Sequence, residues 1–210
     1  MPSPLRARIY DTVITHMTAG WYRGVIERLP EHCRLLDVGI GTGSALLRNA
    51  DAVVRKDIHV TGIDIDADYV ARCRQEVSRR GLTNRIAVRL ESVYDHRGGP
   101  YGAAYFSGSF MLLPDPPRAL HQVSPLLVPG GRIYFTQTFE QRRSSVLEVL
   151  KPLLRVVTTI DFGRVTYEPD FRRALAAGGI ELEEIHTLSG SRGRRAVLAV
   201  ARPVALVERS

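Results

Sequence analysis

The stretch Leu35-Leu36-Asp37-Val38-Gly39-Ile40-Gly41-Thr42-Gly43-Ser44-Ala45-Leu46 constrains the fold more than any other. It begins apolar, places an acid just before three alternating glycines, and runs into a helix-forming segment. Glycine reaches positive φ freely and lacks a Cβ, so backbone there can turn sharply and approach a bound group closely. Where such a loop opens a helix, free N–H groups and the helix dipole face that group. The unit is therefore a strand, a loop and a helix forming a nucleotide-type cradle. Asp37 is built into the carboxyl end of its strand.

The rest of the chain repeats that alternation. Residues 34–38 read as the first strand, with a short helix after the loop to about Val54. Residues 58–64 are short, β-branched and end in Asp64, as a second strand would. Asp66 caps a helix that carries Val70, Cys73 and Val77 on one face, and Gly81 stops it. Residues 85–90 alternate as a third strand with Ile86, Val88 and Leu90 inward, and Glu91-Ser92-Val93-Tyr94-Asp95 leaves its carboxyl end. A small-residue fourth strand, 103–106, runs into Ser107-Gly108-Ser109-Phe110. Pro116 or Pro117 starts the next helix, with Leu120, Val123 and Leu127 on one face. Pro129-Gly130-Gly131 reads as a turn before a fifth strand at 132–138. Helices are expected at 144–154 and 171–177, the latter ending at Gly178-Gly179. Residues 180–188 and 195–201 are joined so tightly that they must pair antiparallel. Five alternating strands imply a parallel sheet covered by helices on both faces, closed by a hairpin.

Before the first strand, residues 5–29 read as one or two helices. Ile9, Val13, Ile14 and Met17 recur at helical spacing, Gly20-Trp21-Tyr22 interrupts, and Val25, Ile26 and Leu29 resume. Tyr10, Tyr22 and Trp21, the single tryptophan, make an aromatic cluster outside the α/β pattern. Two readings stand: packing onto the sheet, or a lid over the cradle. The length, 210 residues, suits one domain with a sizeable core, divided into a helical extension (1–30) and an α/β core (33–201).

The formal net charge of +7 points to acidic partners such as anionic membrane surfaces, nucleic acid or phosphorylated substrates, or to a solvated basic surface. Cys33 and Cys73 are too few for a disulfide framework, which fits a reducing, cytoplasmic setting. The first residues carry no secretory signal, and no apolar run reaches the ~18 residues of a membrane span. The His and Cys residues are scattered without metal-ligand spacing, so no metal is expected.

Four stretches resemble, in the right order, motifs of the class I S-adenosylmethionine-dependent methyltransferases, in the branch that contains quinone-ring and phospholipid methylating enzymes. They are Leu35 through Gly43, Val60 through Asp66, Leu127 through Ile133, and Phe171 through Ile180. The resemblance covers roughly residues 33–201 and implies a Rossmann-like, doubly wound, mostly parallel seven-stranded sheet with an antiparallel C-terminal hairpin strand and an N-terminal helical extension. A nicotinamide-binding fingerprint fits less well, because Ser44 stands where its third glycine would be.

The resemblance also implies roles. Gly39, Gly41 and Gly43 would pass under the amino acid part of S-adenosylmethionine, and Asp37 would engage its ammonium, directly or through water. Asp64 would accept from both ribose hydroxyls and Ile65 would pack on the adenine. Ser92 stands where many members carry an Asp for the adenine amino group, with Val93 offering its backbone N–H; Asp95 is the other candidate for that task. Gly102 replaces a second family acid. Ser107 and Ser109 sit where cofactor and acceptor meet, and Tyr10, Trp21, Tyr22 and Ser109 are the candidate acceptor contacts.

Methyl transfer is an in-line displacement at an activated centre, so it asks chiefly for positioning, and for a base only if the acceptor must lose a proton. The six histidines, His16, His32, His59, His96, His121 and His186, are candidates for that work, with His121, His16 and Glu140 foremost; His59 and His186 read rather as structural or surface residues. Asp115-Pro116-Pro117 looks like a base-amine motif, but Arg118 replaces its aromatic and the prolines read as a helix start. The expected activity is methylation of a small-molecule or lipid-like acceptor, leaving S-adenosylhomocysteine. The alternatives are a protein or nucleic-acid methyltransferase, or a non-catalytic cofactor-binding member. Nucleic acid is the less favoured partner, since no appended RNA-binding module is visible.

Overall fold

The computed structural model describes residues 17–140, 166–191 and 193–204. Residues 17–28 are helical (α1). Then follow β1 (Arg34–Val38), α2 (Ser44–Leu47), α3 (Ala50–Arg55), β2 (His59–Asp64), α4 (Ala67–Arg79) and β3 (Ile86–Leu90). The second part holds β4 (Tyr101–Ser107), α5 (Pro116–Val123), β5 (Leu127–Glu140), α6 (Glu168–Ala177), β6 (Ile180–Ser191) and β7 (Arg194–Pro203). The strands form one sheet in the order β3-β2-β1-β4-β5-β7-β6. The first five pair in parallel, and β7 lies antiparallel to both β5 and β6.

Alternation along the central strands divides the core in two. Leu35 points to one face, with Val60, Cys73, Val77 and, from α1, Tyr22, Val25, Ile26 and Leu29. Leu36 and Val38 point to the other, with Phe106, Phe110, Phe135, Phe171 and Leu120. β1 is buried on both faces after Arg34, as a central parallel strand must be. The Phe side is an aromatic cluster: Phe106 and Phe135 stack at 5.3 Å, while Phe110 meets Phe171 edge-on at 5.8 Å. Offset and edge-on contacts of this kind add to plain burial.

Of the two readings of the N-terminal aromatics, α1 follows packing onto the sheet. Its Gly24 is close enough to Leu198 of β7 that a Cβ would stand 3.3 Å from that side chain. Its carboxyl end is tied down by Lys56, whose ammonium donates to the carbonyls of Ile26 (3.0 Å), Glu27 (3.1 Å) and Leu29. A cation at a helix C-terminus satisfies orphan carbonyls and complements the dipole. Asn49 holds the other side, its amide donating to Ala19 O at 2.9 Å and Ala45 O at 3.0 Å.

Several expectations shift in detail. The helix expected to run to about Val54 is broken at Asn49 into α2 and α3, where the side-chain amide donates to Ala45 O of α2 and to Ala19 O of α1. Leu90, expected inward, is 53% exposed, because β3 is the outer strand with a neighbour on one side only. Pro129-Gly130-Gly131 is an excursion inside β5: Tyr101 pairs with Leu127 and Ala103 with Arg132, so the extra residues bulge out, with Gly130 at φ 78°. Leu127 therefore opens β5 and is not on the helical face. The helix expected at 144–154 lies outside the described residues, as do Tyr10, His16 and Arg192. Among the described residues no helix is long and apolar enough to cross a membrane.

Candidate functional site

The strand order reverses between β1 and β4, and the loops leaving their carboxyl ends diverge there. In an open α/β sheet that crevice is where ligands bind. Gly39, Gly41 and Gly43 all take positive φ, at 78°, 59° and 69°. Their surroundings differ. A Cβ on Gly39 would lie 2.7 Å from Ser109 Cβ, and one on Gly43 2.4 Å from Cys73 Sγ, so both positions exclude larger residues by packing. Gly41 faces open space. It is the open side of the turn. α2 spans only four residues and sums little dipole, so what this loop offers a ligand is mainly its N–H groups.

Asp64 ends β2 across the crevice. Its carboxylate accepts from Gly41 N (2.9 Å) and from Asp66 N (3.0 Å), which fixes its plane and ties the glycine turn to the second strand. Asp66 in turn caps α4, accepting from Asp68 N and Tyr69 N. Ile65 follows Asp64 and is 78% exposed, and Leu90, exposed too, pairs in register with Asp64. Exposed apolar side chains at strand ends can meet a flat ligand.

Asp37 is fully buried. Its Oδ2 accepts from the Tyr22 hydroxyl at 2.8 Å, and among the described residues its Oδ1 has no partner. Burial pushes its carboxyl up to about 7, the Tyr22 bond opposes that rise, and the Asp64 charge adds to it. Tyr22 itself is raised, by burial first and by the Asp37 charge second. Its ring meets Tyr105 edge-on at 4.9 Å. The Tyr105 hydroxyl shares a 2.8 Å bond with Thr136 Oγ1, and the Ser107 hydroxyl touches both phenols. Burial pushes the Cys33 and Cys73 thiols up to about 11 and about 12, which leaves both unreactive near neutral pH.

The remaining expected residues fall around this centre. Ser109 leans on Gly39 and donates to the Val38 carbonyl at 2.5 Å, so its hydroxyl braces the turn. Ser92 Oγ accepts from Tyr94 N at 3.3 Å, and Asp95 N closes the turn onto Ser92 O at 3.0 Å. Val93 is buried with Val38 and Ile63. Trp21 is buried over the turn after β4, where a Cβ on Gly108 would stand 3.7 Å from its ring. Glu140 ends β5, half-buried, with Arg194 at 4.0 Å. His121 is exposed in the last turn of α5, away from the strand ends. Thus Asp37, the glycines, Asp64, Ile65, Ser107 and Tyr22 are brought together, and His121 is not.

Tyr105 had no role in the sequence reading, and His96 was only one of six histidine candidates for a base. Tyr105 is the residue that pairs in register with Asp37, a position legible only once the strands are aligned. His96 is fully buried between Glu91 (3.0 Å) and the Tyr101 hydroxyl (2.9 Å), and its carbonyl accepts from Gln122. It pins the loop that carries Ser92 and Val93. A separate concavity of about 520 Å³, bordered by His32, Arg34, Asp57, His59 and Arg85, lies at the amino ends of the strands, opposite the crevice. Among the described residues no group of His, Cys, Asp and Glu could hold a metal ion.

A family model described as a methyltransferase domain matches residues 35–131. The ubiquinone biosynthesis O-methyltransferase of Xylella fastidiosa (strain 9a5c) is 28% identical over 77% of this chain and 66% of its own length. The phosphatidylethanolamine N-methyltransferase of Cereibacter sphaeroides is 27% identical over 65% of this chain and 68% of its own. About a third of each relative thus has no counterpart in the alignment. Among solved structures, the [4+2]-cyclase SpnF superposes with a TM-score of 0.72 at 20% identity, over 88% of this chain and 81% of that one. A geranyl diphosphate methyltransferase in complex with SAM gives 0.70 at 15% identity, over 89% and 85%. The matched domain opens on the strand that carries Asp37 and closes at the glycines inside β5. Taken with the strand order, the match supports the class I S-adenosylmethionine-dependent methyltransferase superfamily for this chain.

Proposed function

We propose that this chain transfers the methyl group of S-adenosylmethionine to a small-molecule or lipid-like acceptor, releasing S-adenosylhomocysteine. The observation that carries the reading is the unpartnered Asp37 Oδ1 at a turn whose open side is Gly41. A buried carboxylate oxygen without a donor is costly, and an ammonium brought by a ligand relieves it. The residues present fit the cofactor. Asp37 would take its ammonium and Gly39, Gly41 and Gly43 its amino acid backbone. Asp64 keeps lone pairs for two ribose hydroxyls, Ile65 offers the adenine a flat apolar contact, and Ser92 and Val93 border the ring edge. Ser107 lies between cofactor and acceptor.

When bound, the cofactor supplies a methyl group on a positively charged sulfur, which leaves as a neutral thioether. The chain's own task is to hold the acceptor in line and keep water out; such orientation is worth up to roughly 7–11 kcal/mol. Trp21, over the Gly108 turn, would border the acceptor side, while the rest of α1 packs on the sheet. Glu140, at the carboxyl end of β5, would be the carboxylate to orient or deprotonate an acceptor, whereas His121 lies in the last turn of α5. The lipid-like acceptor is supported by the printed activities of the ubiquinone and phosphatidylethanolamine relatives. The net charge of +7 would let the protein approach an anionic membrane surface to reach it. We read the chain as one domain, with α1 (residues 17–28) as the described part of its N-terminal extension.

Calorimetric titration with S-adenosylmethionine and S-adenosylhomocysteine tests the reading. Binding of both is expected; no heat at millimolar ligand from folded protein refutes it.

A further inference from the structure

We propose that Tyr22 is a positioning residue that keeps Asp37 ionised and single-faced, with Oδ2 held by the phenol and Oδ1 left to the cofactor ammonium. The inference rests on the cofactor reading above. Tyr22 comes from α1, outside the strand–loop–helix cradle, yet its hydroxyl is the donor 2.8 Å from Asp37 Oδ2. The ring cannot swing away. It is buried, it packs edge-on against Tyr105, and the Ser107 hydroxyl sits between the two phenols. The plane of the carboxylate is thereby set, and one oxygen alone remains open.

The groups that face Asp37 are Tyr22 from α1, Tyr105 and Ser107 from β4, Cys73 from α4 and Asp64 from β2, with Thr136 of β5 one hydroxyl further. Among these described residues there is no cation. Asp64 and the burial itself favour the protonated acid; the Tyr22 hydrogen bond opposes them. A protonated Asp37 offers an ammonium no charge. The phenol therefore sets the pH range in which the cofactor can bind, and it does so through Asp37 without touching any reacting atom. Because α1 is held in turn by Lys56 and Asn49, docking of that helix and readiness of the cradle are coupled.

The test is titration with S-adenosylhomocysteine from pH 5.5 to 9 on the wild type and on Tyr22→Phe, which keeps the ring and its packing. Wild-type affinity should fall about tenfold between pH 8 and pH 6, as the group near 7 takes up its proton. Losing a hydrogen bond to a charged group raises that midpoint by about one to two units. Tyr22→Phe should then bind about 5- to 50-fold more weakly at pH 7 and converge with the wild type toward pH 9. A merely structural role lowers affinity by one factor at every pH, and that result overturns the inference, as does wild-type binding with no pH dependence. If Tyr22→Phe fails to fold, amide hydrogen exchange on the wild type decides: ligand should slow exchange in residues 17–28, and unchanged exchange there refutes the coupling. Wild-type protein that binds nothing at any pH instead defeats the proposed function, so the two failures are distinguishable.

Discussion

Asp37→Asn should make the ligand-free protein more stable, by an amount that grows with pH. The group titrates at 3.8 when solvated and at about 7 in the folded protein, a rise of about 3 units. A raised acid pKa means that the folded state prefers the protonated form. Its stabilising contribution is fully present below 3.8 and lost as pH climbs toward 7. At about 1.4 kcal/mol per unit, the loss is about 4 kcal/mol once the pH passes 7. At pH 5 the unfolded chain has already given up its proton and the folded one has not, so the loss there is about 1.5 kcal/mol. The difference between Asp37→Asn and wild type should therefore widen by about 2–3 kcal/mol from pH 5 to pH 8. In a chain of this size that is about 5–10 °C in Tm. Fixed effects of the asparagine, such as an amide N–H left without a partner, cancel between the two pH values. Urea and thermal unfolding of both proteins without ligand measure the gap directly. A gap that stays constant from pH 5 to pH 8 would falsify the assignment of Asp37 as a buried, half-satisfied acid.

Three other substitutions probe the same site. Asp64→Ala removes the acceptor of Gly41 N and the expected ribose contacts; S-adenosylhomocysteine affinity should drop by roughly 2–4 kcal/mol in calorimetry, and an unchanged affinity removes Asp64 from the site. Gly43→Ala should destabilise more than Gly41→Ala in thermal melts. Both face the ~1–2 kcal/mol cost of a left-handed residue, but only at Gly43 does a Cβ press on Cys73. Gly41→Ala should instead show itself as weaker ligand binding, since its methyl enters the open side of the turn. Lys56→Met should loosen α1 by about 1–3 kcal/mol, read as lower Tm and faster exchange in residues 17–28; an unaltered α1 would show that Lys56 is not its anchor.

The architecture was legible wherever a local rule decides it. Asp66 caps α4 because a short acceptor side chain precedes a helical apolar face, and Gly81 ends it at φ 67°. The hairpin followed from the shortness of its joint. The glycine turn and Asp64 were legible because each answers a backbone or charge requirement that sequence spacing expresses. What escaped depends on contacts between distant segments. Nothing in the chain around Tyr22 says that its hydroxyl meets Asp37, 15 residues on and across a packed interface. Tyr105 was hidden in a stretch of small residues, and His96 lay in a loop without pattern. Pro129-Gly130-Gly131 signals a turn correctly, but only pairing with β4 turns it into a bulge within a continuous strand. At the break, Asn49 bonds to α1, a contact that local helix propensity does not foresee.

Transfer of label is the most direct test of the central claim. The wild type and Asp64→Ala are incubated with methyl-labelled S-adenosylmethionine and extracts of small molecules and membrane lipids, and both labelled product and S-adenosylhomocysteine are measured. The account predicts label in a small or lipid-soluble product, matched one for one by S-adenosylhomocysteine and sharply reduced in the variant. Label that appears only in protein or nucleic acid, or cofactor that binds and is never consumed, would contradict it.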